Sequence, residues 1–218
     1  ALMRKILIVS ALALILCAAL SGCGPAFENE PPMQKIQERL NGLQSYHATG
    51  TVTRITDEGE SEYGIEQYYK ISGQYRLELT SPDEVAGNYT VYDGSTVCQF
   101  NPRVKGKIIK NVPENQARNE LFIGCFVKNY MNSEGVSIAV ANFDESQCTV
   151  LEAVIPGSNK FTSTEKLWID NETLDPVKLV IYDSEGKERY ILQFKQFEYN
   201  AQIDDSVFSV EGVSPEGQ

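Results

Sequence analysis

From Tyr46 to Tyr199 the chain alternates apolar and polar residues in run after run, with turn residues between the runs, and few folds accept that pattern. Residues 47–56 and 63–72 flank Asp57-Glu58-Gly59-Glu60, and Ser72-Gly73 leads into 74–80. Residues 88–92 turn at Asp93-Gly94 into 95–100, and Asp-Gly between alternating runs is the strongest of these hairpin signals. Lys105-Gly106-Lys107 and Pro113 then break the pattern. Alternating runs return at 136–142, 148–155, 162–169, 177–182 and 188–199, with Asp183-Ser184-Glu185-Gly186 as a turn and 207–210 as a candidate last strand. A single internal segment, about residues 116–130, has helical period, with Leu121, Phe122, Cys125 and Phe126 on one face. Parallel strands need a crossover of a dozen or more residues between them, so successive strands here are expected to pair antiparallel.

A first helix precedes the strands, with Met33, Ile36, Leu40 and Leu43 at spacings of three and four. Along the strands one face is oily. Tyr75, Leu77 and Leu79 oppose Arg76, Glu78 and Thr80, while Val177, Leu179 and Ile181 oppose Lys178, Val180 and Tyr182. A large sheet with one apolar face needs a cover, and the two amphipathic helices are the candidates. With so little helix the cover is expected to be incomplete, leaving an apolar groove. Tyr75, Leu77, Leu79, Trp168, Leu179, Ile181 and Phe194 are the large side chains expected to fill or line that interior. The predicted class is mainly β with two helices, in one domain over residues 33–210, followed by a tail at 211–218.

The N-terminal segment is set apart by composition. Arg4 and Lys5 precede residues 6–20, which are apolar except for Ser10, and the run ends in Leu20-Ser21-Gly22-Cys23. This is too short for the ~20 apolar residues that span a bilayer, and it reads as a secretory signal over residues 1–22. Leu-Ser-Gly-Cys resembles the lipobox of bacterial lipoproteins, in which the Cys takes a diacylglycerol thioether and becomes the mature N-terminus. The resemblance implies that Cys23 is lipidated, that residues 23–32, rich in Pro and acidic residues, are a tether, and that the domain stands on the outer face of a bacterial membrane. Residues 23–218 carry 17 Lys+Arg against 30 Asp+Glu, a net charge of −13, so nucleic acid is not an expected partner and a basic patch is not the expected route to the bilayer.

Catalytic signatures are scarce. His47 is the single histidine, at the start of the first strand, and no GxSxG, HExxH or P-loop pattern accompanies it. Asp204-Asp205 are adjacent and would point apart, unlike the facing carboxylates of a glycosidase. Cys98, Cys125 and Cys148 have no metal-ligand spacing, and an odd number of thiols permits at most one disulfide among three pairings; buried, reduced cysteines are the expectation. Neither an enzyme nor a cofactor is expected.

The stretches ISGQYRLELTSP and YDGSTVCQFNP, and the C-terminal LWIDNETLDPVKLVIYDSEGKERYILQFKQFEYNAQIDDSVFSV, resemble lipoprotein carriers of the LolA type in order and spacing over about residues 33–210. That resemblance implies an incomplete antiparallel β-barrel of about eleven strands with a helical lid over an apolar cavity. Arg76 matches an Arg that such carriers place near the lid, although alternation sets it opposite Leu77 and Leu79 with Glu78 as a surface partner. Carriers of this type are soluble and bind acyl chains, whereas a chain tethered through Cys23 could not shuttle freely. The chain is most similar to the tethered germination lipoproteins of GerS type, which bind and support an N-acetylmuramoyl-L-alanine amidase acting on spore cortex peptidoglycan. The resemblance therefore implies a non-catalytic, membrane-anchored protein with an amidase partner, and the alternative is a lipid or lipoprotein carrier using the cavity itself. Open strand edges also admit a homodimer by strand exchange.

Overall fold

Each alternating run up to residue 199 becomes a strand, and each strand pairs antiparallel with its neighbours. β1 (Ser45–Thr56), β2 (Gly59–Lys70), β3 (Tyr75–Ser81), β4 (Tyr89–Tyr92), β5 (Thr96–Asn101) and β6 (Gly106–Asn111) form one meander. β7 (Ser137–Phe143), β8 (Ser146–Val154), β9 (Thr164–Asp170), β10 (Pro176–Tyr182) and β11 (Glu188–Tyr199) form a second. β11 returns to β1, so one 11-stranded sheet runs β6-β5-β4-β3-β2-β1-β11-β10-β9-β8-β7. The computed structural model of the chain describes residues 33–210 apart from 118, 135, 136 and 158. The expected signal peptide, the tether with Cys23 and the 211–218 tail lie outside the described residues.

The sheet is open. β6 and β7 are consecutive in sequence yet stand at opposite ends of the strand order. The chain between them contains a 3-10 turn (Glu114–Gln116) and a helix, α2 (Ile123–Asn132), packed on the inner face of the sheet. α1 (Met33–Asn41) covers the same face, burying Ile36 and Leu40, with Leu43 just beyond its end. Full burial of such side chains contributes about 1.5–3 kcal/mol each, which fastens a helix of two and a half turns that would not persist alone. Arg39 adds a cation–π contact, its guanidinium carbon 4.3 Å from the Tyr199 ring centroid, and an ion pair with Asp175 at 3.3 Å.

Three elements differ from expectation. β6 arises from Gly-Lys-Ile-Ile-Lys-Asn, in which two adjacent isoleucines break the alternation and hide the strand. α2 begins at Ile123 and not near residue 116, because Ala117 and Phe122 are extended. Residues 205–208 form a 3-10 turn and not a strand, capped where the Asp204 carboxylate accepts from the Ser206 N–H at 2.8 Å. That turn lays Phe208 against Val91 and Cys98 on the outer face of the sheet, where a second, smaller core forms. Cys98, Cys125 and Cys148 are free thiols on β5, α2 and β8, and burial raises the pKa of each.

Candidate functional site

The inner face is organised around Tyr46. Its ring stacks on Phe197 at 4.8 Å and Tyr69 at 5.6 Å, and a chain of rings continues through Phe122 and Tyr75 to Tyr92. The Tyr46 hydroxyl donates to Gln67 Oε1 at 3.0 Å and accepts from the backbone N–H of Ile123 at 3.1 Å. Gln67 Nε2 then donates to the Leu121 carbonyl at 3.0 Å. Helix α2 has no side-chain cap on Phe122; Tyr46 of β1 caps its first N–H from across the core, and Gln67 of β2 holds the chain just before it. Gly124 allows the close approach: a Cβ there would lie 2.0 Å from Tyr69 Cε1.

Beneath α2 the interior is filled. Phe126, Leu151, Leu167, Leu179 and Leu192 are fully buried in one cluster. Among them stands a carboxyl group that sequence reading passed over. Glu165 is 0% exposed, accepts from Asn129 Nδ2 of α2 at 2.7 Å, and its second oxygen has no hydrogen-bond partner. Desolvation raises its pKa to about 7, against the opposing effect of the Asn129 bond. The signal was present in the period of β9, where Glu165, Leu167 and Ile169 share the inward positions.

Beyond Phe122 the cover stops. Over β3–β6 the inner face is an apolar groove of about 390 Å³, with Tyr75, Leu77, Val97 and Ile108 on the sheet side and Leu121 and Phe122 on the other. Gln99 and Lys110 bring polar ends to its wall. A neighbouring hollow of about 560 Å³ shares Leu77, Thr90, Gln99 and Ile108 and extends past Leu79. Such a groove suits an apolar chain or an apolar side-chain row. Among the described residues no group of three or more His, Cys, Asp and Glu could hold a metal ion.

The seven expected interior residues do not behave alike. Tyr75, Leu179 and Ile181 are buried; Leu77 and Leu79 are half-buried along the groove, and Phe194 is half-buried with its ring edge-on to Phe197 at 5.7 Å. Trp168 is a correction. Leu167 and Ile169 take the inward positions of β9, so period two turns Trp168 to the outer face, opposite Val150 and Lys178, with Lys178 Nζ 4.9 Å from its ring centroid. Arg76 is a second correction. It lies on the outer face, away from both helices, bonded to Glu78 Oε2 at 2.7 Å and stacked 3.8 Å over the Tyr89 ring, so it holds no lid. His47 stacks on Tyr68 at 4.5 Å and meets Glu66 Oε1 at 2.8 Å.

An open antiparallel sheet of eleven strands with two helices on its inner face defines a mainly β class of domain. Within that class the chain belongs to the YdcC-like sporulation protein family, whose model matches residues 3–208. It is 22% identical over 207 residues to the sporulation protein YdcC of Bacillus subtilis strain 168, covering 94% of this chain and 60% of that one, so it spans about 60% of the curated relative's length. An uncharacterised conserved protein from Thermus thermophilus shares the fold, with a TM-score of 0.54 and 17% identity over 85% of this chain and 96% of that one. Two further solved structures are similar. One is GerS lipoprotein in complex with the CwlD amidase from Clostridioides difficile (27% identical, 77% of this chain and 94% of that one, TM-score 0.48). The other is the LolA superfamily protein NE2245 from Nitrosomonas europaea (15% identical, 83% and 98%, TM-score 0.44).

Proposed function

We propose that the chain is a lipid-anchored, non-catalytic binding protein of sporulation that supports a cell-envelope or spore-cortex enzyme through protein contact. The supporting observation is the fastening of α2. To admit acyl chains beneath it, the helix would have to lift, breaking the bond from the Ile123 N–H to the Tyr46 hydroxyl and the bond from Gln67 Nε2 to the Leu121 carbonyl in an apolar interior, and each such loss costs about 1–3 kcal/mol. A carrier needs a lid that opens cheaply; here the helix is part of the core.

Membership of a sporulation protein family supports the sporulation role, and the lipobox-like Leu20-Ser21-Gly22-Cys23 supports a proposed anchor at Cys23 on the outer face of a cell or forespore membrane. An N-acetylmuramoyl-L-alanine amidase is the partner to test first, a choice supported by the complex of GerS with the CwlD amidase. One observation favours the carrier alternative: the groove between Leu77 and Ile108 is open and lined by apolar residues. The test is recovery of the chain from membranes of sporulating cells, followed by identification of bound proteins and titration with a fluorescent fatty acid. A co-purifying amidase without saturable fatty-acid binding supports the proposal. Saturable micromolar fatty-acid binding with no protein partner would replace it with the carrier.

A further inference from the structure

The end strand β6 carries an unusual combination for so acidic a chain. Residues 94–113 contain Arg103, Lys105, Lys107 and Lys110 and no Asp or Glu. On the strand itself Ile108 is 57% exposed and Ile109 51%. Their side chains lie on opposite faces, because Ile108 pairs with Gln99 of the inner face and Ile109 with Cys98 of the outer one. Two exposed isoleucines on a terminal strand invite pairing with another chain, and native sheets seldom leave such an edge uncovered without a use.

The backbone sharpens this. The Val112 N–H donates to the Ser95 carbonyl at 2.8 Å, and the register continues through Val97↔Lys110 and Gln99↔Ile108. Bonded and non-bonded pairs alternate in an antiparallel ladder, so Ile108 and Lys110 turn their backbone groups toward β5, while Lys107 and Ile109 turn theirs outward. The far edge, β7, exposes Ile138 and Val140 but has no charged residue on its strand.

We infer that β6 is a docking strand for an extended, acidic segment of a protein partner, which adds as a further strand to the sheet. Outward backbone groups at Lys107 and Ile109 supply the ladder, Ile108 and Ile109 each take an apolar side chain on its own face, and the basic row selects Asp or Glu along the incoming segment. Lys107 is steadied by its Nζ contact with the Val210 carbonyl. This surface rests on the proposed support of an amidase and assigns where that contact is made.

The experiment titrates the full mature chain with the CwlD-like amidase of the same organism and compares three variants. Ile109→Pro removes an outward N–H while sparing the β5 ladder, and it is expected to weaken binding about tenfold with little change in melting temperature. Lys110→Glu is expected to weaken binding about fivefold, and less at high salt. Val140→Lys on the opposite edge should leave binding unchanged. Should Ile109→Pro lower the melting temperature, Lys110→Glu decides. Unaltered amidase binding by Ile109→Pro and Lys110→Glu overturns the β6 surface and leaves the amidase proposal standing, whereas no binding by the unsubstituted chain overturns both. Two other results also overturn the assignment: loss of a homodimer with amidase binding intact makes a second copy the occupant, and loss of binding to anionic vesicles alone makes it a membrane.

Discussion

The hydroxyl of Tyr46, on the first strand, accepts a hydrogen bond from the backbone N–H of Ile123, 77 residues later, at 3.1 Å. The contact joins the one internal helix to the centre of the sheet and sets which half of the inner face is filled. Burial raises the Tyr46 pKa well above its usual value, so the phenol stays protonated and can both donate to Gln67 and accept from Ile123.

Tyr46→Phe keeps the stacked ring and removes only the oxygen. The Ile123 N–H and Gln67 Oε1 then lose their partner, so the variant is expected to be less stable by about 1–3 kcal/mol. Urea unfolding should show a lower midpoint at unchanged slope, and amide exchange should rise first in α2.

Glu165 makes stability depend on pH in the neutral range. Its folded pKa of about 7 lies above the usual carboxyl value, so between about pH 4.5 and 7 the folded state holds a proton that the unfolded state has released. The associated stability is complete below the unfolded pKa and is lost as pH rises through about 7, a total of about 3 kcal/mol at about 1.4 kcal/mol per unit. Unfolding midpoints at pH 5 and pH 8 should differ in the native chain. Glu165→Gln should flatten that difference.

The turn between β10 and β11 responds to acid in the opposite sense. Asp183 accepts from the backbone N–H groups of Lys187 at 2.9 Å and Glu185 at 2.8 Å, and from Arg189 Nε at 2.7 Å, while Arg189 also reaches Asp57 at 2.9 Å. The Lys187 backbone bond, with the Arg189 guanidinium and the Glu185 N–H, holds the Asp183 pKa below the usual carboxylate value. The linked stability is present above the unfolded pKa and is lost as pH falls through the lower folded one. An acid titration of Asp183→Asn should therefore lose less stability below about pH 4 than the native chain does.

Cys23→Ala is expected to abolish incorporation of a fatty-acid analogue and to release the chain from membranes. Retained label on that variant would place the anchor elsewhere.

Period two made most of the strands legible, and it failed where composition masked it. Gly59–Glu62 extend β2 but are polar and exposed, so they read as part of a turn. β6 carries its isoleucines side by side. The start of α2 was hidden for a different reason, because the groups that hold it, Tyr46 on β1 and Gln67 on β2, are far away in sequence. Among the candidate interior residues, Trp168 was misplaced because size was weighed above period: Leu167 and Ile169 already claimed the inward positions. An incomplete cover follows from the scarcity of helix, but the expected filling of the groove by large side chains holds only beneath α2, and the open stretch over β3–β6 depends on where α2 crosses.

Filling the groove tests the central claim most directly. Leu77→Trp places an indole in the hollow beside Val97 and leaves β6's outward backbone groups, the exposed Ile109 and the Tyr46 bonds in place. Affinity for the amidase should equal that of the native chain in a direct titration. A loss of amidase binding on filling the groove, or saturable fatty-acid binding that Leu77→Trp removes, would contradict the account and make the cavity the working part of the molecule.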